Sequence, residues 1–319
     1  MKNGQLQEIM NQLDGFAAGL IESTNNLYAQ GAQTSMVSDR LSLEANATLK
    51  DSTLNFREGS FDMIAYDING DEAARRTITV TSTTVMDDSL AFPPNGSSNS
   101  IIGQLKAQID DNSDGNAIND INSILSSVYS YNPTNISGEL SIQVNENDFP
   151  GYTFGIEDDQ SNGLASGSNF AGALGMSRFF QGDDATNINL NSTLKKDPSI
   201  IRANKSPVDG DNKLANDMLQ LQFENVEYEA NGLVIKDSLY GYYDALVTDV
   251  GTRTNAAIIT NETVAAKYNS ILLSYESISK VNIDEEMVNL IKYQTAYSAA
   301  AKIITTIDQM LDTLLGLKQ

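Results

Sequence analysis

Residues 240–278 read YGYYDALVTDVGTRTNAAIITNETVAAKYNSILLSYESI, and their spacing decides the fold. Tyr240, Tyr243, Val247, Val250, Thr254, Ala257, Asn261, Val264, Tyr268, Ile271, Tyr275 and Ile278 recur at intervals of three and four without a slip. That is the period of one helix face. Such a run spans roughly 58 Å at 1.5 Å per residue, about three times an ordinary globular helix, which predicts a coiled coil or stalk. Packing against another helix explains the stripe more simply than an apolar ligand groove does. Asn261 then stands at a seam position, where an amide fixes register.

A second helix follows. Asn282 is placed to cap it, with Glu285 three residues on as the reciprocal partner, and Asp284 and Glu286 suit its positive end. Its stripe is Ile283, Met287 and Leu290, then, after a three-residue slip, Tyr293, Tyr297, Ala300, Ile304, Ile307, Leu311 and Leu314. An amphipathic helix at this end of the sequence needs a partner for that stripe. These ten residues are the expected assembly face.

Upstream, Leu6, Ile9, Leu13, Phe16, Leu20 and Leu27 predict a helix over 5–29, ending near Gly31. The polar stretch through Leu41 and Leu43 reads as a helical continuation. From Gly59 the period becomes two: Phe61, Met63 and Ala65, the turn Asn69-Gly70-Asp71, then Thr77 to Thr81, a β-hairpin. Pro93 to Ser98 reads as a loop, Ile101–Ile109 and Ile118–Tyr129 as short helices, and 139–156 as strand. Residues 162–211 read as loop with short helices, and Ala215–Phe223 as helix. The expected fold class is α+β and elongated: a helical stalk segment at 1–51, a β-containing middle domain at 52–158, a loop and short-helix joining region at 159–235, and stalk helices with the assembly helix at 236–319.

Composition narrows the chemistry. The 319 residues include no Cys and no His, which removes disulfides, a cysteine nucleophile, the Ser-His-Asp arrangement and nearly every zinc site. A formal charge of −22 argues against nucleic acid as a partner. No run of roughly 18 apolar residues predicts a membrane span, and no cofactor motif is present. Asp110-Asp111-Asn112-Ser113-Asp114-Gly115 matches half of a calcium loop, but the twelfth position is Ile121 where a bidentate Glu belongs, so a polar turn is expected. Asp158-Asp159 and Asp183-Asp184 read as solvated loop acids rather than a glycosidase pair. The sequons at Asn46, Asn95, Asn135, Asn191 and Asn261 read as chance in an Asn- and Ser-rich chain. No catalytic or metal-binding residue is assigned.

The run Val281-Asn282-Ile283-Asp284-Glu285-Glu286-Met287-Val288-Asn289-Leu290-Ile291-Lys292-Tyr293-Gln294-Thr295-Ala296-Tyr297 resembles the conserved end of flagellar axial proteins. Its continuation, Ala299 to Leu315, resembles the hook-associated, junction-forming branch of that family. So do Ala171-Gly172-Ala173-Leu174-Gly175-Met176-Ser177-Arg178-Phe179-Phe180, with Gly182 to Asp184 and Gly210 to Asn212, and the opening Leu13 to Ile21 with Asn25 and Gly31. The resemblance implies a non-enzymatic structural component of the bacterial flagellum, exported without a cleavable signal through the flagellar type III channel. It implies a ring of identical subunits as the first partner, then hook protein, a second junction protein or filament, and an export chaperone. Another axial protein, of hook or rod type, is the nearest rival; a carboxylate glycosidase and a calcium-dependent adhesion module are more distant ones. The family has Gly where Lys280 stands, so a stiffer joint between the last two helices is expected. The pairing N-terminal axial segment has no counterpart, so the chain is expected to begin inside a longer protein and not to assemble normally by itself.

Overall fold

The structure is a computed structural model that describes residues 3–87, 99–116, 118–159 and 167–317. The Pro93–Ser98 loop and the sequon at Asn95 lie outside them. The chain divides into two compact units, Met1–Gly251 and Thr252–Gln319.

The first unit opens with α1 (Asn3–Tyr28), then β1 (Ser35–Val37), β2 (Gly59–Tyr66), β3 (Glu72–Val80), α2 (Ile101–Lys106) and α3 (Ile121–Ile124). β4 (Leu125–Asn132), β5 (Ser137–Val144), β6 (Thr153–Asp158) and α4 (Phe170–Leu174) follow, then β7 (Phe180–Gln181), β8 (Asn189–Leu190), α5 (Ser192–Lys196) and α6 (Lys213–Gln220). A last hairpin, β9 (Val226–Ala230) and β10 (Leu233–Asp237), leads into α7 (Leu239–Ser279), which continues into the second unit; α8 (Ile283–Gly316) lies wholly there. The α+β class holds.

β2 pairs antiparallel with β3 and with β6, with Phe61 opposite Ile78 and Met63 opposite Ile156. β5 lies between β1 and β4 in a second antiparallel sheet. Alternation puts Phe61, Met63, Ile78, Leu140, Ile142, Phe154 and Ile156 into one core, where Phe61 stacks on Phe170 with ring centroids 4.0 Å apart. This core is not confined to 52–158, because Met36, Leu41, Leu43 and Leu174 join it. A second core gathers Leu27, Tyr28, Leu214, Val226, Tyr228 and Tyr242 where α1 meets β9. Bare glycines allow that approach: a Cβ at Gly15 would stand 2.4 Å from the Glu229 carbonyl oxygen, and one at Gly19 would stand 2.6 Å from the Tyr228 ring.

Three expectations need correction. Leu41 and Leu43 are not helical: Met36, Ser38, Leu41 and Leu43 are buried in an extended run that pairs with β5, and Leu41 and Gly138 exchange backbone bonds of 2.8 Å. The helix over 118–129 ends at Ile124, and Leu125, Ser127 and Tyr129 then alternate inward along β4. Its Ser-Ser-Val-Tyr-Ser-Tyr run favours a pleated, half-buried surface over a helix. The helix from Ile101 stops at Lys106. The β9–β10 hairpin was not anticipated, although Asn231 (φ 54°) and Gly232 (φ 74°) form its turn.

Candidate assembly surface

α8 forms for local reasons. The Asn282 side-chain oxygen accepts the Asp284 amide proton at 3.1 Å, and Asp284, Glu285 and Glu286 fill the first turn, where the dipole favours acids. No bond from Glu285 back to Asn282 occurs among the described contacts, so only half of the expected capping box is present.

No residue of α8 is buried. The sequence-predicted face is open to solvent along its whole length, from 46% exposed at Ile307 to 79% at Tyr297. Sequence reasoning missed part of the apolar surface: Val288, Ile291, Ile303, Met310 and Leu315 lie outside the predicted stripe and are exposed as well. Ile291, Ile303, Met310 and Leu315 each stand three or four positions from a stripe residue, as Leu315 does from Leu311, so they widen the apolar face, and only Val288 lies well to its side. α7 is similar. Its only buried residue is Tyr242, and Val264, Tyr268, Ile271, Tyr275 and Ile278 are all exposed. An apolar side chain of this size gains about 1.5–3 kcal/mol on full burial, and that gain is unrealised here.

In the first unit, the two upstream stretches that carry the family resemblance meet. The Asn25 side-chain oxygen accepts the amide protons of Phe179 and Phe180, both at 2.9 Å, and its amide donates to the Phe180 carbonyl at 3.0 Å. Asn26 accepts from the Gly172 amide and donates to the Asn169 side chain, both at 3.1 Å. A polar seam on α1 thus clasps residues 169–180.

The acidic motifs separate by environment. Asp158 is not a solvated loop acid: it is 5% exposed and accepts from Ser168 N, Ser168 Oγ and Asn169 N at 2.9–3.0 Å. Burial raises its pKa above the usual carboxylate range, against those hydrogen bonds. Asp184 sits in a turn, its pKa lowered by bonds from Thr186. Asp110, Asn112 and Asp114 spend their oxygens on the amides of their own loop, while Asp111 is buried against Arg76 at 2.7 Å. Among the described residues, no group of three or more Asp or Glu is arranged to hold a metal, and no helix is long and apolar enough to cross a membrane.

Glu22 stands at the wall of a cleft of about 500 Å³ between α1 and β9. Its side chain is 10% exposed, with Arg57 Nη1 2.8 Å from Oε1 and Nη2 donating to Oε2 at 2.9 Å. Burial outweighs that pairing and raises its pKa to about 7.

Comparison with known proteins meets this geometry at the same segment. The family described as "flagellar basal body rod FlgEFG protein C-terminal" matches residues 274–317. The chain is 28% identical over 136 residues to flagellar hook-associated protein 1 of Salmonella typhimurium, covering 41% of this chain and 24% of that protein. It is 32% identical over 79 residues to the Bacillus subtilis protein of that name, covering 25% and 16%. It is also 42% identical over 77 residues to the flagellar hook protein FlgE of Caulobacter vibrioides, covering 22% and 13%. These matches span about a quarter or less of the length of the curated relatives.

Proposed function

We propose, from this kinship with flagellar hook-associated proteins, that the chain is a structural subunit of the bacterial flagellar axis, joining hook to filament. One coincidence carries the reading: the segment matched by the axial family, 274–317, contains α8, a 34-residue helix without a single buried residue. A helix with a broad apolar face and none of it covered is a component awaiting its neighbours. In this reading α7 and α8 are coiled-coil stalk helices. Ile283, Met287, Leu290, Tyr293, Tyr297, Ala300, Ile304, Ile307, Leu311 and Leu314 form the contact face. The neighbours are identical copies in a ring, with hook protein on one side and a second junction protein or filament on the other, and an export chaperone before assembly. The role is mechanical and non-enzymatic, on the extracellular flagellum.

The test is a double substitution, Ile304→Asp with Leu311→Asp, in the protein as it is made by the cell. Both side chains are exposed, so the folded monomer should persist while hook–filament junctions disappear; normal swimming would sink the assignment of this face. A second axial reading, hook or rod protein, draws on the hook-protein match and on the rod family's description. Immunogold labelling of intact flagella separates them, since a single band between hook and filament supports the junction role and label along the hook moves the chain to the hook.

A further inference from the structure

The net charge of −22 is not shared evenly along the chain. Residues 252–319 hold six basic residues (Arg253, Lys267, Lys280, Lys292, Lys302 and Lys318) against seven acidic ones, a net of −1. The other 14 basic and 35 acidic residues lie in 1–251, a net of −21. Within that unit the cleft beside Glu22 illustrates the excess: Asp14, Asp183, Glu227 and Glu229 also line it, and Arg57, the one basic lining residue among those described, is already paired with Glu22.

This partition bears on what can cover the exposed helices. A cationic protein would be drawn to residues 1–251 and would gain almost nothing at a helical unit of charge −1. A second copy of this chain meets no charge barrier at α7 and α8, only apolar surface to bury, while its own −21 unit is repelled by the first. We propose that the charge on residues 1–251 gates self-association: two copies join through the near-neutral helical unit only where counter-ions screen the acidic one. The inference rests on the assembly reading above and adds its regulation. Screening lengths fix the direction of the effect, falling from ~30 Å at ~0.01 M salt to ~10 Å at ~0.1 M. Apolar contacts need no such help, so added salt removes the opposing term and strengthens association, the reverse of a complex held by surface ion pairs.

The experiment is sedimentation equilibrium of the full chain at neutral pH, in about 0.01 M and about 0.3 M sodium chloride. The association constant is expected to rise at least about tenfold across that range. A triple variant, Glu146→Gln, Glu224→Gln and Glu229→Gln, neutralises three exposed acids of the first unit far from α8 in sequence. It should raise the low-salt constant and leave the high-salt constant unchanged. Association that weakens with salt, or a triple variant identical to the parent at low salt, overturns the gating alone. A chain that stays monomeric at every salt concentration also overturns the gating, while the assembly reading stands or falls separately on the swimming test of the Ile304→Asp, Leu311→Asp protein.

Discussion

Replacing Glu22 by Gln tests whether the seam between α1 and the β-rich core is shaped by burial or by ion pairing. The Glu22 carboxyl faces Arg57 from the segment before β2, Asp158 from the end of β6 and Glu227 from β9. Desolvation is the largest influence and raises its pKa from 4.5 to about 7. A carboxyl that titrates higher in the folded chain than in the unfolded one favours folding while protonated. Its contribution is complete below about pH 4.5 and is lost as pH rises through about 7. At about 1.4 kcal/mol per unit, the swing is about 3 kcal/mol. Gln is neutral throughout, so the stability of the variant minus that of the parent should grow by about 3 kcal/mol between about pH 4 and about pH 8. That difference already contains the attraction of Arg57, because the pKa reflects both. Urea unfolding of both proteins at each pH measures it, read by near-ultraviolet tyrosine signals. These suit the case because the chain has no Trp and buries Tyr28, Tyr228 and Tyr242 in the first unit. Parallel pH profiles would refute the reasoning, as would a Gln variant that loses ground at high pH, since the ion pair would then outweigh burial.

Two other substitutions probe the buried polar contacts of the same unit. Arg76→Ala should cost about 3–5 kcal/mol in chemical unfolding, because it strands Asp111, 3% exposed, without its countercharge; adding Asp111→Asn should recover part of the loss. Asn25→Ala removes the acceptor of two backbone amides and the donor to one carbonyl, all half-buried or better, and should cost about 2–4 kcal/mol. Asn25→Asp, which keeps the acceptors and loses the donor, should fall between the two when their unfolding midpoints are compared.

What could be read from the sequence was whatever local chemistry determines. α7 follows from unbroken three-four spacing, α1 and α8 from nearly the same spacing with one slip in α8, and β2 with β3 from alternation about Asn69-Gly70. Residues 118–129 fail for a definable reason. Ile121, Ile124, Leu125 and Val128 fit helical spacing as well as Leu125, Ser127 and Tyr129 fit a strand, and only pairing with β5 decides between them. The β9–β10 hairpin was legible in Asn231-Gly232, but three consecutive apolar residues, Leu233 to Ile235, blur the alternation after the turn. The Asn25 clasp was beyond reach, since its partners lie 154 and 155 residues away and no local pattern links them.

The same distinction separates the two units. In residues 1–251, buried polar groups such as Asn25, Asn26, Asp158 and Arg76 find partners within the unit. In residues 252–317 the backbone is satisfied by the helices themselves, and the apolar side chains are left exposed. Lys280 shows how far this local completeness extends. Its amide still donates to the Glu276 carbonyl at 2.8 Å and its ammonium pairs with the Glu276 carboxylate at 2.6 Å, so α7 is closed by a cation at its negative end. Two residues after Lys280, Asn282 has already capped α8. A glycine at 280 would keep the turn and forfeit both the charge and the side-chain pair, loosening the link. Both helices are therefore complete as secondary structure, while their apolar side chains are left exposed.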